Sequence, residues 1–117
     1  MMEKRESNYS IIDSQLIIGD TEFSFKYAIK EVLEIFSMLI VRIESPIGIT
    51  YNENVFGISL LEKKIKWQIA KREYNLKDCP YTYIRLIENQ LRLFNWCSFY
   101  LDVNPNTGEV IQQGDSR

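Results

Sequence analysis

The chain has 117 residues, of which 45% are hydrophobic and 26% are charged, and its formal net charge is -2. It contains no histidine, so catalytic triads and metal sites that depend on an imidazole are excluded. We expect a chain of this length and composition to fold as one domain, residues 1–117, around a single hydrophobic core.

Charge is distributed unevenly along the chain. Residues 1–62 contain 5 basic and 10 acidic side chains, a net charge of -5, whereas residues 63–117 contain 9 basic and 6 acidic ones, a net charge of +3. The basic cluster Lys63, Lys64 and Lys66 falls at a predicted hairpin. Lysines in such a place are typical of a protected strand edge, so we interpret the cluster as a solvated edge.

The chain shows no targeting or membrane-spanning pattern. The charged start, residues 1–5, leads into no apolar stretch, which predicts no secretory signal. The longest apolar block, residues 35–41, is too short to cross a bilayer. We therefore expect a cytoplasmic protein without membrane contact.

Short alternating runs open the chain. Residues 9–12 and 16–18 alternate around the turn Asp13-Ser14, and residues 21–25 continue the alternation after a second turn. These patterns predict three short strands.

The segment 26–36 has two interpretations. Its apolar residues recur at helical spacing, with Glu31 and Glu34 on the opposite face, which indicates a short amphipathic helix. No cap opens the segment, no glycine closes it, and β-branched and aromatic residues are frequent, which favours a strand. The strand is the preferred interpretation, and a helix here would make the fold α+β.

Residues 38–44 form a nearly continuous apolar run. Leu39, Ile40 and Val41 leave no face for solvent, which is typical of a central strand. Pro46 ends the run because proline cannot donate to a strand ladder.

The rest of the chain consists of short extended runs separated by turns. They are residues 55–60, 65–69, 81–87, 91–94, 99–103 and 109–111. The first two and the last two each flank a polar turn, so the chain contains two similar hairpins.

These hairpins resemble the blades of quinoprotein-type and WD-type propellers. Residues 102–111 are similar to the blade motif with its threonine-glycine turn, and residues 64–69 are similar to its tryptophan-bearing return strand. The likeness covers about half of the chain. This sequence departs from the motif at two positions, because Lys64 stands where the motif has glycine and Ser59 stands where it has aspartate. A propeller needs at least about four blades to close. No quinoprotein cofactor is therefore carried over.

The predicted fold class is accordingly all-β. We expect an antiparallel meander of about nine short strands in two twisted, propeller-blade-like sheets packed on one another. Trp67 and Trp96 lie in alternating apolar runs and are predicted to be core residues. Cys79 and Cys97 are interpreted as buried small hydrophobic residues, with a disulfide between them as an alternative.

A second resemblance concerns the whole chain. Residues 51–56, 65–69 and 92–96, followed by the threonine-glycine hairpin, are similar to small immunity proteins of contact-dependent growth inhibition and related polymorphic toxin systems. The resemblance implies a stoichiometric inhibitor of a cognate toxin domain, often a nuclease. Such an inhibitor needs a rigid surface with aromatic and charged contacts and no catalytic group or cofactor.

Acidic side chains and tyrosines are the candidate contacts with a toxin. Acidic groups complement a basic nuclease, and tyrosine is enriched at binding hot spots. The candidates are Glu31, Glu34, Tyr51, Glu53, Tyr74, Asp78, Tyr81, Tyr83 and Tyr100.

Other functions stay open at this point. A catalytic pair could be drawn from Asp78 and Cys79 or from Glu88 and Asp102, but no phosphate-binding loop or motif supports either pair, so we expect no enzyme. A structural or adaptor subunit remains an alternative. A nucleic-acid binding module would use Lys63, Lys64, Lys66, Arg85, Arg92, Tyr81 and Tyr83, and we expect no direct nucleic-acid contact.

Overall fold

The computed structural model describes residues 9–116, and these residues contain strands and turns but no helix. The all-β class is therefore confirmed. The strands, in chain order, are β1 (Tyr9–Ile12), β2 (Gln15–Ile18), β3 (Thr21–Ser24), β4 (Ala28–Ile35), β5 (Met38–Glu44), β6 (Val55–Ser59), β7 (Lys64–Gln68), β8 (Tyr81–Ile87), β9 (Gln90–Asn95), β10 (Phe99–Val103) and β11 (Val110–Asp115).

The described strands form three antiparallel sheets in which each strand pairs with the next one along the chain. The N-terminal sheet is β1-β2-β3, the central sheet is β4-β5-β6-β7, and the C-terminal sheet is β8-β9-β10-β11. The sequence predicted about nine strands in two sheets, whereas eleven strands in three sheets are observed. The count of nine was too low, since the segments predicted to be extended number eleven, and the grouping differs because the first three strands form a layer of their own.

The central sheet is covered on both faces. On one face of β5, Leu39, Val41 and Ile43 share a core cluster with Leu16 and Ile18 of the N-terminal sheet. All five side chains are almost completely buried. The prediction that residues 38–44 form a central strand is confirmed, since β5 also pairs with β4 on one side and with β6 on the other.

The opposite face of the central sheet packs on the C-terminal sheet. Met38 and Ile40 of β5 share a second core cluster with Leu93 and Leu101, which alternate with outward-facing residues along β9 and β10. Each layer thus buries a face through the period-two alternation of its strands. No other described strand packs on the outer face of the C-terminal sheet.

Segment 26–36, which the sequence allowed to be a helix or a strand, contains strand β4, so the preferred interpretation is confirmed. Its ladder with β5 shifts between Ile29 and Glu31, which marks a bulge. Because the extra residue resets the alternation, Val32 packs toward the N-terminal sheet and Leu33 toward the C-terminal sheet. The apolar residues therefore acquire the spacing of a helix although the backbone is extended.

Trp67 is buried, as predicted, and it links two sheets. Its indole Nε1 donates a hydrogen bond of 2.7 Å to the carbonyl of Pro105 in the turn between β10 and β11. The ring lies on two glycines: a Cβ atom on Gly57 would lie 2.1 Å from Trp67 Nε1, and one on Gly108 would lie 2.6 Å from the ring. Only glycine fits at these two positions.

Two other sequence predictions were wrong. Trp96 lies in the turn between β9 and β10 and is 65% exposed, because the chain reverses there. Cys79 is buried but is not a free thiol: it forms a disulfide with Cys97, and their Cα atoms are 5.5 Å apart. The bond ties the loop before β8 to the turn after β9.

Within residues 9–116 we find no helix that is sufficiently long and apolar to span a membrane.

Candidate functional site

The open face of the C-terminal sheet carries a row of aromatic rings. Strand pairing places Tyr83 of β8 opposite Phe94 of β9, and Phe94 opposite Tyr100 of β10. Each ring points outward because its sequence neighbours Ile84, Leu93 and the other inner residues point into the core. The row is therefore positioned by the ladders of three adjacent strands.

The rings of this row are in direct contact. The centroids of Tyr83 and Phe94 are 4.6 Å apart in a stacked arrangement, and those of Phe94 and Tyr100 are 6.0 Å apart and tilted. The row ends at Gly114 of β11, the partner of Tyr100, where a Cβ atom would lie 2.3 Å from the Tyr100 ring. Glycine at this position lets the tyrosine ring lie over the backbone of β11.

Two arginines extend over the aromatic row. The guanidinium carbon of Arg85 lies 4.4 Å from the ring centroid of Tyr83, and that of Arg92 lies 3.8 Å from the centroid of Tyr100. Both distances are in the range of cation-π attraction. We name Tyr83, Arg85, Arg92, Phe94 and Tyr100 together the aromatic-arginine face.

Arg92 is held in place by a buried carboxylate. Its Nε and Nη2 donate hydrogen bonds of 2.7 and 3.1 Å to Asp102, which also accepts a hydrogen bond of 2.9 Å from Gln112. The hydrogen bonds from Arg92 are the largest influence on the pKa of Asp102 and lower it; burial opposes this shift and Gln112 reinforces it. The same pairing raises the pKa of Arg92. The two-point geometry fixes the guanidinium plane.

Arg85 is held by Glu31, a predicted contact residue. Glu31 accepts hydrogen bonds from Arg85 Nη1 at 2.6 Å, from Arg42 Nε at 2.9 Å and from the backbone N–H of Ile84 at 3.1 Å. It therefore joins β4 of the central sheet to the free edge of β8. The structure assigns this carboxylate a role in the fold, at the border of the aromatic-arginine face.

Three further predicted residues lie together elsewhere. The Tyr74 hydroxyl donates a hydrogen bond of 2.9 Å to Glu53, and Gln68 Nε2 donates to the Tyr51 hydroxyl and to the Glu53 carbonyl. Burial is the main cause that raises the pKa of Tyr74 and of Tyr51. These hydrogen bonds connect the loop before β6 with β7 and with the loop after it. The polar groups of the three residues therefore already have partners within the chain.

The remaining predicted residues are dispersed. Tyr81 is only 1% exposed and belongs to the core, so its side chain is not available at the surface. Burial raises the pKa of Tyr81 to about 12. Asp78 is exposed in the loop before β8, and Glu34 is exposed on β4. Of the nine candidates, only Tyr83 and Tyr100 belong to the aromatic-arginine face, and Glu31 lies at its border.

Sequence reasoning missed Phe94 as a surface residue. It alternates with Leu91 and Leu93, which are completely buried, so the period of β9 places it outward with Arg92. This alternation was the signal that could have identified it.

The catalytic pairs considered from the sequence are not supported by the contacts. Cys79 is in the disulfide, and Asp102 is paired with Arg92. Among residues 9–116, no group of three or more acidic or sulfur side chains is arranged to hold a metal ion.

These observations define an all-β domain of three stacked sheets with one open face of aromatic and arginine side chains. The family described as Domain of unknown function (DUF7957) matches residues 6–114, so the chain belongs to this family. No curated protein and no solved structure matches the chain.

Proposed function

We propose that this protein binds another protein through the aromatic-arginine face and acts as a stoichiometric inhibitor of a cognate toxin domain. The single observation that carries the proposal is the row of Tyr83, Phe94 and Tyr100 with Arg85 and Arg92 above it. The toxin as partner rests on the resemblance to immunity proteins.

The chemistry of the face supports a protein partner. Tyrosine and arginine are the residues most enriched at binding hot spots, and large aromatic side chains contribute contact area at a low cost in conformational entropy. Asp102 and Glu31 already hold the two arginines, so little side-chain freedom is lost when a partner docks.

The charge balance argues against a nucleic-acid partner. Arg85 is paired with Glu31 and Arg92 with Asp102, so both cations of the face are neutralised. Lys64 and Lys66 lie on the edge strand of another sheet. Nucleic-acid affinity depends on cations that replace counterions on phosphates, and paired arginines contribute little to this exchange.

The acidic first half of the chain is compatible with a basic toxin. Residues 1–62 carry a net charge of -5, and Glu34 is exposed on β4. A negative net charge in this half of the chain would accelerate association with a basic nuclease and discriminate against acidic proteins.

The test is co-expression of this chain with toxin domains encoded beside its gene. We expect rescue of growth and a one-to-one complex in size-exclusion chromatography. A complex without rescue would favour the structural or adaptor role instead, and the absence of both would refute the proposal.

Two substitutions locate the contact surface. Tyr83→Ala and Tyr100→Ala should each weaken the complex by more than ~1 kcal/mol, because each removes one of the three rings of the row. Leu61→Ala is the matched control, since Leu61 is 82% exposed in the turn between β6 and β7. If calorimetry finds that both tyrosine variants bind like the parent, the face is not the contact surface.

A further inference from the structure

A cleft of about 320 Å³ lies at the end of the molecule where β5 ends and β8 begins. It is separate from the aromatic-arginine face and plays no part in the proposed function. Its walls include the apolar side chains of Pro46, Ile47, Ile49 and Trp96, and the carboxylates of Glu44 and Asp78 also line it. This volume is suited to one long side chain or a small ligand.

The first wall is a turn with a defined shape. The N–H of Ile49 donates a hydrogen bond of 3.1 Å to the carbonyl of Pro46, and the Ser45 hydroxyl donates one of 2.7 Å to the carbonyl of Ile49. Gly48 has a φ of +92°, which the third residue of such a turn requires. The turn presents Ile47 in a fully exposed position.

The second wall is Trp96, which is 65% exposed although it is a large aromatic residue. The backbone N–H of Trp96 donates a hydrogen bond of 2.9 Å to the carbonyl of Pro80, and the next residue, Cys97, forms the disulfide with Cys79. The turn that carries the indole is thus fixed at two points, while the ring remains open to a ligand.

The charge of the cleft is negative. Glu44 and Asp78 are its two carboxylates, and Arg42 is its one cation. Arg42 is already paired with Glu31 at 2.9 Å and with Glu44 at 3.1 Å. The Asp78 carboxylate forms no hydrogen bond or ion pair with any residue in the range 9–116. An accessible carboxylate and an exposed indole that line the same cleft are a combination that attracts a cation with a flat surface.

We propose that this cleft binds an arginine side chain of a protein or peptide. The guanidinium stacks on the indole of Trp96 and donates hydrogen bonds to Asp78. The methylene stem packs against Pro46 and Ile47. Arginine fits better than lysine, because its planar head can stack on a ring and bond a carboxylate at the same time.

The test uses N-acetyl-arginine N-methylamide as the probe at constant ionic strength. The chain has two tryptophans, and Trp67 is buried, so its indole N–H signal in NMR is an internal reference for that of Trp96. We expect a saturable shift of the Trp96 signal with a midpoint in the roughly millimolar range, while the Trp67 signal stays constant. The neutral analogue N-acetyl-citrulline N-methylamide should bind at least about fivefold more weakly.

Asp78→Asn tests the carboxylate. It should reduce the affinity for the arginine probe by about two- to fivefold, whereas Glu88→Gln, an exposed carboxylate in the turn between β8 and β9, should leave it unchanged. The proposal is overturned if the citrulline probe shifts the Trp96 signal with equal affinity, if the arginine probe shifts neither tryptophan or both, or if the two variants behave alike.

Discussion

The central and C-terminal sheets have the same topology but different surroundings. Both are meanders of four consecutive strands. In the central sheet, six of the seven residues of β5 are buried, because other layers cover both faces; along β9 of the C-terminal sheet, buried residues alternate with partly exposed ones. The shared topology provides the scaffold, and the uncovered face of the C-terminal sheet is where aromatic and arginine side chains can meet a partner.

Removing apolar volume from the central sheet should have the largest effect on stability. Leu39 is completely buried in β5, so Leu39→Ala leaves a cavity that the layers on both sides cannot fill. We expect the free energy of unfolding to fall by about 3 kcal/mol, measured by chemical denaturation.

The same substitution in the C-terminal sheet provides the control. Leu86 of β8 is 45% exposed, so Leu86→Ala should cost less than ~1 kcal/mol. Equal losses in the two variants would mean that Leu39 and Leu86 are not buried to different extents in solution.

Reduction of the disulfide should have the next largest effect. The bond joins residues that are 18 positions apart, and closing a loop of this length restricts the unfolded chain by about 3 kcal/mol. A reductant acts on this bond alone because Cys79 and Cys97 are the two cysteines of the chain. We expect less stability in denaturation with reductant, and faster amide exchange in β8 and β9 than in β5. An unchanged free energy of unfolding would contradict this expectation.

A smaller effect is expected for the carboxylate beneath the aromatic-arginine face. Asp102→Asn replaces charged hydrogen bonds to Arg92 with neutral ones, and should reduce the stability by about 1–2 kcal/mol at pH 7. Denaturation of the parent and the variant should be compared at several pH values. Glu34→Gln, on an exposed part of β4, is the matched control and should change the stability little.

The difference in the free energy of unfolding between the parent and Asp102→Asn should depend on pH with a defined sign. The folded state lowers the pKa of Asp102 below its ordinary value of 3.8, so the carboxylate contributes its full stabilisation above this pH. The contribution is lost as the pH falls through the lowered pKa of the folded state. The two unfolding free energies should therefore converge at acid pH, and a constant difference from pH 7 to acid would show that Asp102 does not act through its charge.

Much of the fold was predictable because turns and alternation are local properties of the sequence. The strands overlap segments that were predicted to be extended, including β5, although β11 continues to Asp115, four residues beyond the predicted run 109–111. Segment 26–36 was ambiguous because the bulge between Ile29 and Glu31 gives a bent strand the spacing of a helix. The third layer was missed, although a strand that is apolar on both faces needs a layer on each side.

The candidate site was predicted only in part. Tyr83 and Tyr100 were identified by residue type, but their contact through Phe94 depends on the register of three strands, which is a tertiary property. Tyr81 lies two residues before Tyr83 yet points inward, because the ladder shifts between them. The disulfide was an alternative and not the preferred interpretation, because nothing local shows that the loop before β8 meets the turn after β9.

The contact between Trp67 and the turn at residues 104–109 affects where the chain can be engineered. Hairpin turns usually accept inserted peptides and new termini. Here the turn supplies the Pro105 carbonyl and the Gly108 surface that receive an indole 38 residues earlier in the chain. Lengthening this turn would remove the hydrogen bond and the packing surface that hold the Trp67 side chain, which belongs to the central sheet. A tag or a circular permutation is better placed between β8 and β9, where Glu88 and Asn89 are exposed.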